Sequence, residues 1–177
     1  VVARMEFKGK ALVNILLYST MFIPATALTY PVYNLVNRLH LYDTRSALIL
    51  IYSCSGIAVS FFVIKNYYDN IPRELEEAAR IDGSGEFHTF NRIVIPIMKP
   101  AIAVQAIFTF VGSWNNYFVP ALIIQSKNKM TVPILIATLR GADYMNFDMG
   151  KIYMMITVAI VPIIIVYLLL SKYILSL

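Results

Sequence analysis

Three carboxylates, Glu74, Glu76 and Glu77, stand within four positions of one another in a stretch that reads PRELEEAARIDGSGEFHTFNRIVIPIMKP from Pro72 to Pro100. Carboxylates in a first helical turn are favoured by the positive end of the helix dipole, and they accept hydrogen bonds from cations. Catalysis would need more. The chain contains no G-x-x-x-x-G-K-[ST] loop to cradle phosphate, no H-E-x-x-H pair and no G-x-S-x-G elbow. Its two histidines, His40 and His88, fall in loops at opposite ends of a long apolar run, so they do not share a site. Its one cysteine, Cys54, has no partner for an internal disulfide and reads as a small packing residue. No catalytic residue, cofactor or metal site is expected. What these residue types leave is a charged helical turn whose one side, at Ala78 and Ala79, is narrow.

Two short helices must position these groups. Pro72 has the fixed φ suited to a first turn. Leu75, Ala78, Ala79 and Asp82 then recur at helical spacing. Gly83 falls where a left-handed residue ends a helix, and Ser84 is placed to cap the next one. In that second helix Phe87, Phe90 and Val94 share a face, and Pro96 is expected to end it. Taken alone, this is the pattern of an ordinary amphipathic surface hairpin.

The surroundings are not ordinary. Of 177 residues 59% are hydrophobic, and the mean hydropathy of +0.68 exceeds that of a soluble globule. No charge occurs in residues 11–37, 46–64, 100–126 or 152–171. Crossing a bilayer takes about 20 apolar residues as helix. The fold expected is therefore all-α, a polytopic membrane protein with four transmembrane helices and the charged hairpin, residues 66–100, between the second and third. The net charge of +5 sits in the loops and is no nucleic-acid footprint. Nine Lys and Arg lie on the side of the hairpin and the termini against six opposite, which places the hairpin in the cytoplasm. Within the spans, Pro24 and Pro31 predict a kink in the first, at 11–33. Gln105 and the run Trp114-Asn115-Asn116-Tyr117 are polar groups in the third, at 101–124. Such groups face protein or water in a candidate translocation path, or else mark the membrane interface.

Glu77-Ala78-Ala79, three residues, Gly83, nine residues, Ile93, one residue, Ile95-Pro96 resembles the EAA coupling loop of bacterial ATP-binding-cassette import permeases. The single departure is Ile95 for Leu. GSWNNYFVP, from Gly112, is similar to that family's fifth span, with Asn116 in place of the usual Asp. KMTVPILI, from Lys129, resembles its external loop, and Pro162 sits mid-span as in its sixth. VVARMEFKGK resembles the loop before its third span, so the resemblance implies spans three to six of a six-span domain that lacks its N-terminal part. It also implies the carbohydrate branch, with amino-acid or peptide permeases as the alternative and a membrane-embedded enzyme or a purely structural subunit as the competing classes. The partners implied are a separate ATPase subunit, a second homologous permease and an extracytoplasmic solute-binding protein, all at the bacterial inner membrane in contact with lipid and without nucleic acid. The ATPase-coupling residues implied are Glu76, Glu77, Ala78, Ala79, Asp82, Gly83, Phe87, Ile93 and Pro96.

Overall fold

A computed structural model describes residues 3–141 and 148–174. Among them every regular element is helical: α1 Lys10–Phe22, α2 Thr29–Arg38, α3 Arg45–Asp69, α4 Glu74–Ile81, α5 Glu86–Trp114, α6 Phe118–Ile123, α7 Val132–Gly141 and α8 Met149–Ile174. Three of them, α3, α5 and α8, are long and apolar enough to cross a membrane.

The first of the four expected segments departs from an unbroken span. The chain leaves the helix at Phe22 and re-enters it at Thr29. Pro24 has no N–H to donate, and it pushes the residue before it out of the helical region. The 13 residues of α1 reach about 20 Å at 1.5 Å each, short of the roughly 30 Å of hydrocarbon in a bilayer. Pro31, by contrast, lies in the first turn of α2, where its missing N–H costs no hydrogen bond.

Pro96 also behaves differently from expectation. It does not end a helix, since α5 runs through it from the hairpin into the membrane-length segment. Immediately before it, Phe90–Val94 form a π turn. The wider register of that turn lets Pro96 act as a first-turn residue of the α-helical stretch that begins at Ile95, where no N–H is required. The second expected span extends beyond 46–64 to all 25 residues of α3. The third closes at Trp114, short of residue 124, and the chain resumes as the short α6.

The chain divides into two compact units. One comprises the described parts of Val1–Met21, Ile57–Phe108 and Leu168–Leu177. Its buried cluster is Ile71, Val94 and Met98, flanked by Ile64, Tyr67 and Tyr68. The other comprises Phe22–Gly56 and the described parts of Thr109–Tyr167. It buries Val36, Ala47, Leu48, Ile123 and Ile124. Both cores are small because most apolar side chains of the long helices point outward. Only 6% of the most apolar window of α8 is buried. Exposed apolar area on that scale requires lipid or another protein chain to cover it.

Candidate coupling hairpin and polar sites

The hairpin α4–turn–α5 is built by its own backbone. At the end of α4 the Ser84 N–H bonds the Ala79 carbonyl at 2.9 Å, and the Gly83 N–H bonds the Arg80 carbonyl at 3.0 Å. That is the pair of bonds that closes a helix through a left-handed residue, and Gly83 supplies it at φ +78°. Ser84 does not cap the second helix as expected. Gly85 takes that position, and the Ser84 hydroxyl instead accepts a 3.0 Å bond from the buried Thr89 hydroxyl. Arg80 meets Glu86 across the turn at 3.1 Å. That pair is more than half exposed, so it adds little stability.

The faces of the hairpin are then set residue by residue. Ala79 is 5% exposed and packs inward. Ile81 at 86% and Phe87 at 83% are nearly bare, on either side of the turn. Glu77, Ala78, Asp82 and Gly83 are exposed with them, as is Pro96, and Ile93 is half-buried. Glu77 makes no hydrogen bond or ion pair among the described residues, which leaves its carboxylate available to a partner. Its neighbour Glu76 turns the other way. One Glu76 oxygen receives the Arg4 guanidinium at 2.5 Å and the Tyr68 hydroxyl at 3.0 Å. Among the exposed apolar residues of the hairpin, Ile81 is one that the sequence pattern does not single out. Its only signal was an isoleucine at the last helical position before Asp82-Gly83.

The four polar residues of the expected third span divide between the two units. Gln105 belongs to the first unit. It is buried there, and its amide nitrogen donates to the Ser60 hydroxyl at 2.9 Å. Trp114, Asn115 and Asn116 belong to the second. The Trp114 indole donates to the Ala159 carbonyl at 3.0 Å and stacks on Phe110 at 5.6 Å. Ala159 lies in α8 three residues before Pro162, whose missing N–H would otherwise bond the neighbouring Val158 carbonyl. Asn116 accepts the Val119 N–H at 3.1 Å, which caps the first turn of α6. An Asp would cap equally well, so exchanging one for the other preserves this bond. Asn115 is exposed.

A further polar cluster in the second unit had no sequence signal. Asp43 sits between α2 and α3 with φ +55°, in the left-handed region. Its carboxylate accepts the backbone N–H groups of Gln125 and Ser126, each at 2.9 Å, as well as the Ser126 hydroxyl and the Lys129 ammonium. The Ser126 side chain and backbone, Lys129 and the Gln125 N–H together hold this carboxyl well below the ordinary aspartate range. A carboxyl held low contributes stability that is present above its unfolded value of 3.8 and is lost as pH falls from there through the folded value. Amide protection of residues 124–130 should therefore be flat from pH 5 to 8 and decline only on stronger acidification. Asp43→Ala should raise their hydrogen exchange at neutral pH, and Asp43→Asn, which tolerates the backbone and keeps one acceptor, should raise it less. Equal protection in wild type and both variants would mean that the clip does not hold this loop.

The chain matches the family described as binding-protein-dependent transport system inner membrane component over residues 1–176. It is 36% identical over 174 residues to the arabinooligosaccharides transport system permease protein AraQ of Bacillus subtilis, covering 97% of this chain and 59% of that protein. It is 30% identical over 172 residues to the trehalose transport system permease protein SugB of Mycobacterium tuberculosis, covering 97% and 62%. The chain thus spans about three fifths of the length of these relatives. In structure it is similar to a chain of a bacterial ABC transporter involved in the import of the acidic polysaccharide alginate, with a TM-score of 0.78 and 23% identity over 97% of this chain and 64% of that one.

Proposed function

The chain belongs to the binding-protein-dependent transport system inner membrane component family, and on that premise we propose that it is a permease subunit of an ATP-binding-cassette importer for a sugar or oligosaccharide. It is a multi-pass inner-membrane component and no enzyme itself. ATP hydrolysis belongs to a separate subunit, and residues 66–100 are the cytoplasmic loop through which that subunit moves the spans. The observation that supports this most is the solvent-facing apolar end of the hairpin, Ile81 and Phe87, flanked by the free Glu77 and backed by a turn that needs Gly83. Bare isoleucine and phenylalanine on a rigid, charged hairpin make a docking surface for a protein partner.

In this reading Ile81 and Phe87 fill a cleft of the ATPase, Ala78 lets α4 approach closely, and Glu77 meets a cation there. Asp82 and Gly83 shape the turn. Ile93 and Pro96 lie where the hairpin continues into the membrane-length part of α5. Gln105, Trp114, Asn115 and Asn116 lie along the transport domain, and the side-chain bonds of Gln105, Trp114 and Asn116 serve helix packing and capping before any contact with solute. A second homologous permease and an extracytoplasmic solute-binding protein complete the assembly, and lipid covers the remaining apolar surface. The sugar assignment takes its support from relatives whose names speak of arabinooligosaccharides and trehalose.

The test is reconstitution of the full-length natural protein with its co-purifying subunits in proteoliposomes. Radiolabelled trehalose, maltose, an arabinotriose, leucine and a tripeptide would serve as probes. ATP-dependent accumulation of a sugar, with none of leucine or the peptide, is the expected result. Accumulation of leucine or the peptide alone would replace the sugar assignment, and ATP hydrolysis without accumulation of any probe would overturn it.

A further inference from the structure

Glu74, Glu76 and Glu77 look equivalent in sequence, but Glu76 is 18% exposed at its side chain and is held from beneath by a residue 72 positions away. We propose that Arg4 is a positioning residue that fixes α4 against the end of α3. This role rests on the permease reading, because it concerns how motion imposed on α4 would reach a span.

The contacts converge on one guanidinium. Arg4 Nη1 pairs with Glu76 Oε1 at 2.5 Å. Arg4 Nη2 donates to the Tyr68 carbonyl at 2.7 Å and also to the Ile71 carbonyl. The guanidinium carbon stands 4.3 Å from the centre of the Tyr68 ring, and the Tyr68 hydroxyl donates to the same Glu76 oxygen. The Arg4 side chain is 10% exposed. A planar fork of fixed donors suits this arrangement, since a single group reaches a carboxylate, two carbonyls and an aromatic face together. The Tyr68 carbonyl lies in the last turn of α3, where it also accepts the Ile71 N–H at 3.1 Å and where the negative end of the helix dipole favours a cation. Arg4 thus joins three pieces of chain: the segment before α1, the end of α3 and α4.

Only residues 70–73 connect α3 to α4 along the backbone. A connection of that length transmits a pull but resists rotation weakly. The Arg4–Glu76–Tyr68 junction gives α4 a second attachment to α3, about 100° round the helix from the exposed Glu77. Two attachments fix an angle where one allows a hinge. Without Arg4, Glu76 would be a poorly solvated carboxylate with only a tyrosine hydroxyl, and α4 would swing to expose it.

The experiment uses the full-length protein in its assembled transporter, in lipid nanodiscs for hydrogen exchange and in proteoliposomes for uptake of the sugar probe that accumulates most. In Arg4→Ala, amide exchange over 74–84 should rise at least tenfold while that over 46–64 stays unchanged. The ATPase should remain bound, because Ile81 and Phe87 are untouched, and the number of ATP molecules hydrolysed per sugar imported should rise several-fold. Arg4→Lys, with the charge but not the fork, should fall between. Adding Glu76→Gln to Arg4→Ala should cause no further loss, since both act through one contact. Tyr68→Phe, which removes one hydroxyl, gives a milder form of the same exchange increase should Arg4→Ala fail to insert. Unchanged exchange over 74–84 in Arg4→Ala or in Tyr68→Phe would overturn the proposal, as would losses that add in the double variant. Exchange needs no transport, so it decides the role of Arg4 even where the wild type accumulates no sugar and the permease reading fails by itself.

Discussion

Replacing Phe87 or Ile81 with Glu is expected to strip the ATPase subunit from washed membranes, with the permease itself inserted in normal amount. Both side chains are bare within the chain, so neither change removes a packing contact from this subunit. Burying either against a partner contributes roughly 1.5–3 kcal/mol before association costs. At about 1.4 kcal/mol per tenfold, losing one side chain should weaken the complex by roughly ten- to a hundredfold. A carboxylate carried into the same apolar cleft adds a desolvation penalty, so the Glu variants should be weaker than the corresponding Ala variants. The measurement is the dissociation constant of the purified ATPase for nanodiscs containing each variant. Wild-type affinity in both Glu variants would show that these two residues do not dock the ATPase.

Gly83→Leu is expected to abolish most uptake by a different route. A Cβ at Gly83 would touch nothing within 4 Å, so no clash opposes the first side-chain carbon. The cost is entirely in the backbone, since φ +78° places a branched side chain in the left-handed region at about 1–2 kcal/mol. That strain competes with the two short bonds from Gly83 and Ser84 that close α4. Asparagine tolerates such φ values better, so uptake should fall in the order glycine, asparagine, leucine. Ala79→Leu should reach a similar loss by overpacking, at about 1–3 kcal/mol, because that position is 5% exposed. Glu77→Lys should instead leave the hairpin folded and weaken only its pairing with the partner. Uptake and hydrogen exchange over 74–84 separate these cases, because exchange should rise in the leucine variants and stay at the wild-type level in Glu77→Lys. If Gly83→Leu retained wild-type uptake, the closed turn would not be needed for coupling.

Much of this was written locally in the chain. The charge-free windows determined that α3, α5 and α8 would be long apolar helices, because helix length and hydropathy depend on contiguous residues. The first window failed in part. Its composition suits a span, yet Pro24 interrupts the helix, and a proline's effect depends on whether neighbours can take up the freed backbone groups. Pro96 failed in the opposite sense, since the π turn before it absorbs the missing donor. The Gly83 turn was legible, because glycine enters that conformation more cheaply than any other residue.

The tertiary structure alone decided which carboxylate faces where. Glu76 and Glu77 are chemically identical neighbours, and about 100° of helical rotation sends one to Arg4 and the other to solvent. Arg4 with Glu76, Asp43 with Ser126 and Trp114 with Ala159 are separated by 72, 83 and 45 positions. No periodicity links residues so far apart. Their partnership comes from the path of the backbone, which brings donors to acceptors that the intervening sequence does not mark.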